Sequence, residues 1–338
     1  MEPKERPWLA PLGALYGAGA AARAWLHRRG LLSRSRLEGP VVSVGNLGLG
    51  GTGKTPVVAR LAAMLQEAGF PVSILSRGYG GSFHGEALLV SDGERVLADA
   101  AEAGDEPVML ARALPGVVVA VGPRRDAAGR AVEARFGPRV HVLDDGFQHL
   151  RLHRDLDLLC LDAPPRAGRP IPAGRLREWP AAAARADIVL CTGEAPCAGP
   201  EAGRTFRVRR RIEGFFTRDG RPQPAPRRPF LLAGIARPER FEADVRSQAA
   251  DVAGSRFFPD HHRFRADELL GALEQARSRG ADAVVTTAKD EVRLPEGEWD
   301  PPVLVLRISA EIEDEARFRD AVLERVRERL PRAAGEGR

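Results

Sequence analysis

The stretch Pro40–Thr55, PVVSVGNLGLGGTGKT, constrains this chain more than any other. Val41-Val42-Ser43-Val44 is a largely β-branched run bounded by Pro40 and Gly45, as a buried strand would be. Gly48 through Gly53, Lys54 and Thr55 then fit the pattern G-x-x-x-x-G-K-[ST]. Pro56–Leu65 follows, with Val58, Leu61, Ala62 and Leu65 at helical spacing. Strand, glycine loop and helix therefore come in the order a phosphate cradle requires. Backbone N–H groups of Gly48, Gly50, Gly51, Thr52 and Gly53 can converge on phosphate oxygens, and the helix N-terminus adds a favourable dipole. Lys54 can reach the β- and γ-phosphates, and the Thr55 hydroxyl is placed to ligate Mg²⁺.

Downstream, buried-looking strands alternate with helices. Strands are expected at Val72–Arg77, Val117–Val121, Val140–Leu143, Leu156–Leu161 and Ile188–Cys191. Helices are expected at Asp105–Leu114 and from about Arg124 to Phe136. This alternation indicates an α/β fold, a doubly wound and mostly parallel sheet that binds ligands at its strand C-termini. Asp162–Ala184, rich in Pro, Arg and Gly, reads as a long ordered loop. Composition shifts near 199–203, where a second unit begins. That unit offers strands at Phe206–Ile212, Phe230–Ile235 and Ala283–Thr287, helices near Glu239–Ala249 and Asp267–Arg279, and a return strand at Val303–Ile308. A last helix, Glu313–Leu330, is expected to pack back on the first unit.

A length of 338 residues suits two domains, and 43% apolar content is enough for real cores. Cys160, Cys191 and Cys197 form no metal-type spacing, and the first two read as core residues of a reducing compartment. The net charge of +5 comes without a basic stripe carrying interleaved aromatics, which argues against nucleic acid as a partner. An anionic substrate or a membrane surface accounts for the excess equally well. Pro7–Leu26 has roughly the length that spans a bilayer, but it is rich in Ala and Gly and carries Pro11 and Arg23. Trp8, Tyr16 and Trp25 with the following arginines fit a helix lying in the membrane interface. A helix packed on the protein's own core is the alternative.

A phosphate cradle needs a carboxylate that positions the metal, usually at the end of a neighbouring strand. Asp144-Asp145, after Val140–Leu143, fits that role, or else a turn with a helix cap. Asp105 heads its helix, where the dipole keeps it ionised; on local sequence it also reads as a cap. Asp260-His261-His262 joins a carboxylate to imidazoles that can tune proton transfer, or is a surface turn. Thr286-Thr287-Ala288-Lys289-Asp290 ends a strand and could offer hydroxyls and a cation to a nucleotide, or is a strand-to-turn exit.

These residues together resemble a family. Asn46-Leu47 with Gly50–Pro56, Ser76–Gly80, Gly104–Pro107 and Asp144–His149 look like tetraacyldisaccharide 4'-kinase, the lipid A 4'-kinase. Pro172–Gly174, Leu176–Glu178, Asp260-His261 and Lys289-Asp290 match in the same order. Trp179 stands where the family usually has proline, and Ala288 where it often has glutamate. The resemblance implies a P-loop NTPase-like fold with a second, smaller α/β domain joined by a two-stranded linker near Phe206–Ile212 and Val303–Ile308. The divisions expected are 1–30 as a membrane-associated helix, 31–203 with 310–330 as the kinase domain, and 204–309 as the second domain with linker strands. It implies transfer of the ATP γ-phosphoryl to the 4'-hydroxyl of an acylated glucosamine disaccharide 1-phosphate, at the cytoplasmic face of the bacterial inner membrane. Asp105 paired with His261 would then act on the hydroxyl proton, Asp144 and Asp145 would hold Mg²⁺, and His149 would lie near the catalytic centre. A membrane-associated ATPase switch of the partitioning or site-selection type is the alternative, although such proteins carry lysine where this chain has Leu49.

Overall fold

Every residue of Val41–Asn46 (β1) is buried, and that strand occupies the middle of one continuous sheet. The computed structural model describes residues 6–50, 53–163, 168–193, 204–249 and 251–330. Gly51, Thr52, Cys197 and the composition break at 199–203 lie outside them.

Around β1, the chain before residue 204 contributes α1 (Ala10–Arg28), α2 (Lys54–Glu67), β2 (Val72–Ser76), β3 (Leu88–Ser91), α3 (Ala100–Ala103) and α4 (Asp105–Ala113). It continues through β4 (Val118–Val121), α5 (Arg125–Phe136), β5 (Val140–Asp144), β6 (Leu156–Leu161) and β7 (Ile188–Cys191). The remainder forms β8 (Thr205–Phe216), β9 (Pro222–Gln223), β10 (Phe230–Ala233), α6 (Pro238–Arg246), β11 (Gly254–Phe257) and α7 (Ala266–Ser278). It closes with β12 (Val284–Thr287), α8 (Ala288–Glu291), β13 (Val303–Ile312) and α9 (Glu315–Arg329).

The sheet order is β11-β10-β12-β13-β8-β7-β6-β1-β5-β2-β4-β3, with β9 paired to β8. Strands β7, β6, β1, β5, β2 and β4 pair in parallel, as do β11, β10, β12 and β13. Between the halves, β8 runs parallel to β7 and antiparallel to β13. Both stretches are longer than the residue pattern suggests, because in β8 the exposed run Arg209-Arg210-Arg211 interrupts the alternation of buried residues. The short β3 and β11 and the four-residue α3 and α8 were not anticipated. Edge strands as polar as Gly254–Phe257 carry too little periodic signal. Within the stretch expected to be an irregular loop, Pro180–Arg185 forms a 3₁₀ helix.

On α2, Val57, Val58, Leu61, Ala62, Met64 and Leu65 are buried against β1, β5 and their neighbours. The same cluster takes in Ala310 and Ile312 of β13 and Phe318, Val322, Leu323 and Val326 of α9. Each fully buried aliphatic side chain contributes about 1.5–3 kcal/mol, so the end of the chain is integral to the core that begins at residue 41. Separate clusters fill the two faces of the β10–β12–β13 region. Cys160 is a buried free thiol. Cys191 is buried too, as its core reading expects.

Helix α1 packs on its own protein through small residues and turns its large apolar residues outward. A Cβ on Gly13 would stand 2.7 Å from the Pro170 carbonyl oxygen, and one on Gly17 would stand 2.4 Å from the Trp179 indole nitrogen. Trp8, Leu12, Leu15 and Tyr16, spaced by three or four residues or adjacent, are exposed. Among the described residues, no helix is long and apolar enough to cross a membrane.

Candidate active site

The glycine loop takes the shape its residues allow. Gly50 (φ 112°) and Gly53 (φ 75°) occupy backbone conformations that side chains disfavour, and Gly53 caps α2 so that Lys54 and Thr55 open the helix. Segment 168–179 lies along this loop: Leu49 N donates to the Arg175 carbonyl at 2.8 Å, and Arg177 N to the Leu47 carbonyl at 2.7 Å. That strap delivers the Arg177 guanidinium to Asp145 at 2.6 Å.

At the end of β5, Asp144 is 3% exposed and accepts from the Ser76 hydroxyl at 3.2 Å. Burial, with Glu106 and Asp145 beside it, pushes the Asp144 carboxyl up to about 7. Asp145 adopts a left-handed backbone (φ 54°) and faces Lys54 Nζ at 3.3 Å. Burial works against the Asp145 charge, but Lys54 and Arg177 outweigh it and hold the carboxyl below its ordinary range. Arg125 is buried nearby; burial and then Arg77 lower its guanidinium to about 10, while Asp144 and Asp145 oppose that shift. Arg125 and Arg177 therefore flank the acidic pair, with Arg77 beside Arg125. Sequence reading passed over Arg125. Its signal was a pair of arginines at the start of a helix, where cations meet the unfavourable end of the dipole.

Asp105 does not cap its helix with its side chain; the N-cap of α4 is Gly104. Its Oδ2 instead lies 2.9 Å from His261 Nδ1, which joins residues 156 positions apart. His261 Nε2 is 3.2 Å from Lys289 Nζ, and Lys289 is 3.1 Å from Asp260 Oδ1. An ammonium can only donate, so Nε2 accepts and Nδ1 carries the hydrogen that His261 donates to Asp105. Lys289 thus fixes the tautomer. His262 turns away, bonding Glu268 at 2.8 Å and stacking on Phe258 at 4.3 Å. Thr287 caps α8, accepting from Asp290 N at 3.1 Å, which is the turn reading of that strand exit.

His149 lies beside Arg125, which itself faces Asp144 and Asp145. Its charged neighbours are Arg125, Asp126, Arg154 and Arg23, and burial followed by Arg125 lowers its imidazole to about 4. It is therefore neutral near pH 7. A cavity of about 580 Å³ opens beside the loop, lined by Gly53, Pro56, Thr192, Arg210, Arg237 and Thr287 from both halves. Among the described residues, no three acidic, His or Cys side chains form a ready-made metal cage. Such a cage is not the usual Mg²⁺ arrangement, which uses one or two carboxylates with phosphate oxygens.

The chain is similar to known proteins over nearly its whole length. Residues 5–327 match the sequence model of the tetraacyldisaccharide-1-P 4'-kinase (LpxK) family. A tetraacyldisaccharide 4'-kinase of Geobacter metallireducens is 44% identical, with 85% of this chain and 88% of that protein covered. One of an Anaeromyxobacter species is 43% identical, covering 98% and 96%. The crystal structure of LpxK from Aquifex aeolicus in complex with ATP superposes with a TM-score of 0.80 at 31% identity, over 94% of this chain and 98% of that one. These matches set aside the partitioning-type ATPase. With its phosphate loop, acidic pair and kinase-like fold in place, this chain belongs to the tetraacyldisaccharide-1-P 4'-kinase family.

Proposed function

We propose that this chain transfers the γ-phosphoryl group of ATP to the 4'-hydroxyl of an acylated glucosamine disaccharide 1-phosphate, with Asp105 as the base. The observation that carries the assignment is the 2.9 Å contact between Asp105 and His261, made between the two halves of the chain, with Glu106, next to Asp105, acting on Asp144. The hydroxyl oxygen bonds to the γ-phosphorus as the bond to the β–γ bridging oxygen breaks, and the hydroxyl proton passes to Asp105. Gly48, Gly50, Gly53 and Lys54, with Gly51 and Thr52, would cradle the phosphates. Arg125 and Arg177 add positive charge where the transferred group spreads negative charge over its oxygens.

The donor set fits Mg²⁺. Asp144 is a buried carboxyl that stays raised, through burial and the neighbouring Glu106 and Asp145, despite Lys54, which is the condition a bound cation would relieve. Thr55, Asp144 and Asp145 would hold the ion, which would neutralise charge on the phosphate oxygens. The 580 Å³ cavity would take the rest of the nucleotide. In this reading His149 supports Arg125 rather than touching the reacting atoms.

The outward apolar face of α1 supports a peripheral or monotopic seat on the cytoplasmic face of the inner membrane, where an anionic lipid substrate resides. The proposed division is 1–30, a kinase domain of 31–203 with 310–330, and a second domain of 204–309; the separate hydrophobic clusters support the last two, with Phe206 and Val208 of β8 packing in the first core.

ATP consumption is to be measured with the acylated disaccharide, with DNA and with neither. Turnover is expected with the disaccharide alone; equal turnover in all three would overturn the assignment. Asp105→Ala is expected to lower kcat by about 10²–10⁴-fold with little change in nucleotide affinity. A destabilised but fully active Asp105→Ala would return that residue to structure.

A further inference from the structure

Arg293, four residues after Lys289, is almost sealed, with a side chain 3% exposed. Its guanidinium lies 5.9 Å from the Phe264 ring centroid. Nη2 donates to the Gly234 carbonyl at 3.1 Å and to Asp290 Oδ1. Asp290 is fully buried and is itself held by Gly234 N at 3.1 Å and the Thr287 hydroxyl at 2.7 Å. One side of the guanidinium is therefore bolted to the turn that carries Lys289.

The other side is not saturated. Nε and Nη1 are buried and have no hydrogen-bond partner among the described residues, although Nη1 stands 3.5 Å from Asp105 Oδ2. A buried donor left unused is costly, so its direction calls for an account. That direction is toward Asp105. Groups facing this carboxylate are His261 at 2.9 Å and Arg293 at 3.5 Å, with Lys289 behind His261 and Glu106 next on α4. Both contacts fall on Oδ2.

We propose that Arg293 is a positioning residue for phosphoryl transfer: anchored on Asp290 and Gly234, it clamps Oδ2 of Asp105 together with His261 and so turns Oδ1 toward the acceptor hydroxyl. The proposal rests on the reading of Asp105 as the base. The planar fork is essential, because one terminal nitrogen holds the anchor while the other faces Asp105. A lysine ammonium supplies the charge at one point only.

The test is a double-mutant cycle read by single-turnover kinetics with enzyme in excess, which keeps slow variants measurable. Arg293→Met is expected to lower the transfer rate about 10-fold or more while the KM for ATP changes less than about twofold, and Arg293→Lys is expected to recover only part of the rate. In an Asp105→Ala background, Arg293→Met should cost no more than about a further twofold, because the clamp has nothing left to hold. An equal loss in both backgrounds, or full recovery by Arg293→Lys, would overturn the clamp. An Asp105→Ala enzyme that keeps its rate would instead strike at the base assignment, so the two failures are distinguishable. Should Arg293→Met unfold, the cycle is run with Arg293→Lys, which keeps the charge and the apolar stem but lacks the fork.

Discussion

Individual side chains carry opposite loads at this site. Lys54 opens α2 in a geometry set by its glycines, and its ammonium reaches Asp145 rather than the core. Lys54→Ala is therefore expected to abolish transfer while leaving the melting curve of the parent; retained activity in such a variant would count against the phosphate loop. Asp144 is the reverse case, a charge the fold tolerates for its task. Its carboxyl is raised to about 7, so the stability its protonated form contributes is fully present below about pH 4 and is lost as pH rises to 7. Asp144→Asn, which never ionises, is expected to melt above the parent at pH 8 by more than at pH 5, without Mg²⁺ or nucleotide. It should also bind Mg²⁺–ATP more weakly. The same gap at both pH values would show that burial does not set the cost. Lys54, Asp144 and Asp145 were legible because motif spacing encodes them. Arg125 and Arg293 were not, since their partners lie far along the chain and come near only through the fold.

At the scale of elements, length and type were mostly legible, whereas the use of each face was not. The pattern of α1 left membrane interface and buried helix as alternatives, and the structure gives each face a different part. Its small residues receive segment 168–179, and its aromatic and aliphatic residues look outward. The departure at Trp179 becomes intelligible here, because its indole lies over Gly17. Deleting residues 1–29 is expected to reduce vesicle pelleting and to lower turnover more on bilayer substrate than on detergent-dispersed substrate. Equal losses in both formats would favour a purely structural α1. Periodicity reported that α1 is a helix; only the packing partner decided which residues were left over.

For the whole molecule, alternation of strands and helices was enough to foresee a parallel sheet, but not that hydrogen bonding would continue unbroken through β8 and β13 into the second half. Strand order is a long-range property, and local pattern does not carry it. Because β8 and β13 lie side by side and antiparallel, residues 217–302 depart from β8 and return to β13 at neighbouring points. The core begun at residue 41 is closed only by β13 and α9. This has a consequence for the order of events during synthesis. On the ribosome, the loop that holds phosphate emerges early, yet its supporting core stays open until the last thirty or so residues are out. The later-made inserted segment meets no such wait, apart from its neighbour β13. A chain stopped after Pro302 is thus expected to contain every phosphate-loop and acidic-pair residue and still fail to bind ATP or protect β1 amides from hydrogen exchange. Adding residues 303–330 as a separate peptide should restore protection in part. A truncated chain that protects β1 unaided would show that the early half closes on its own.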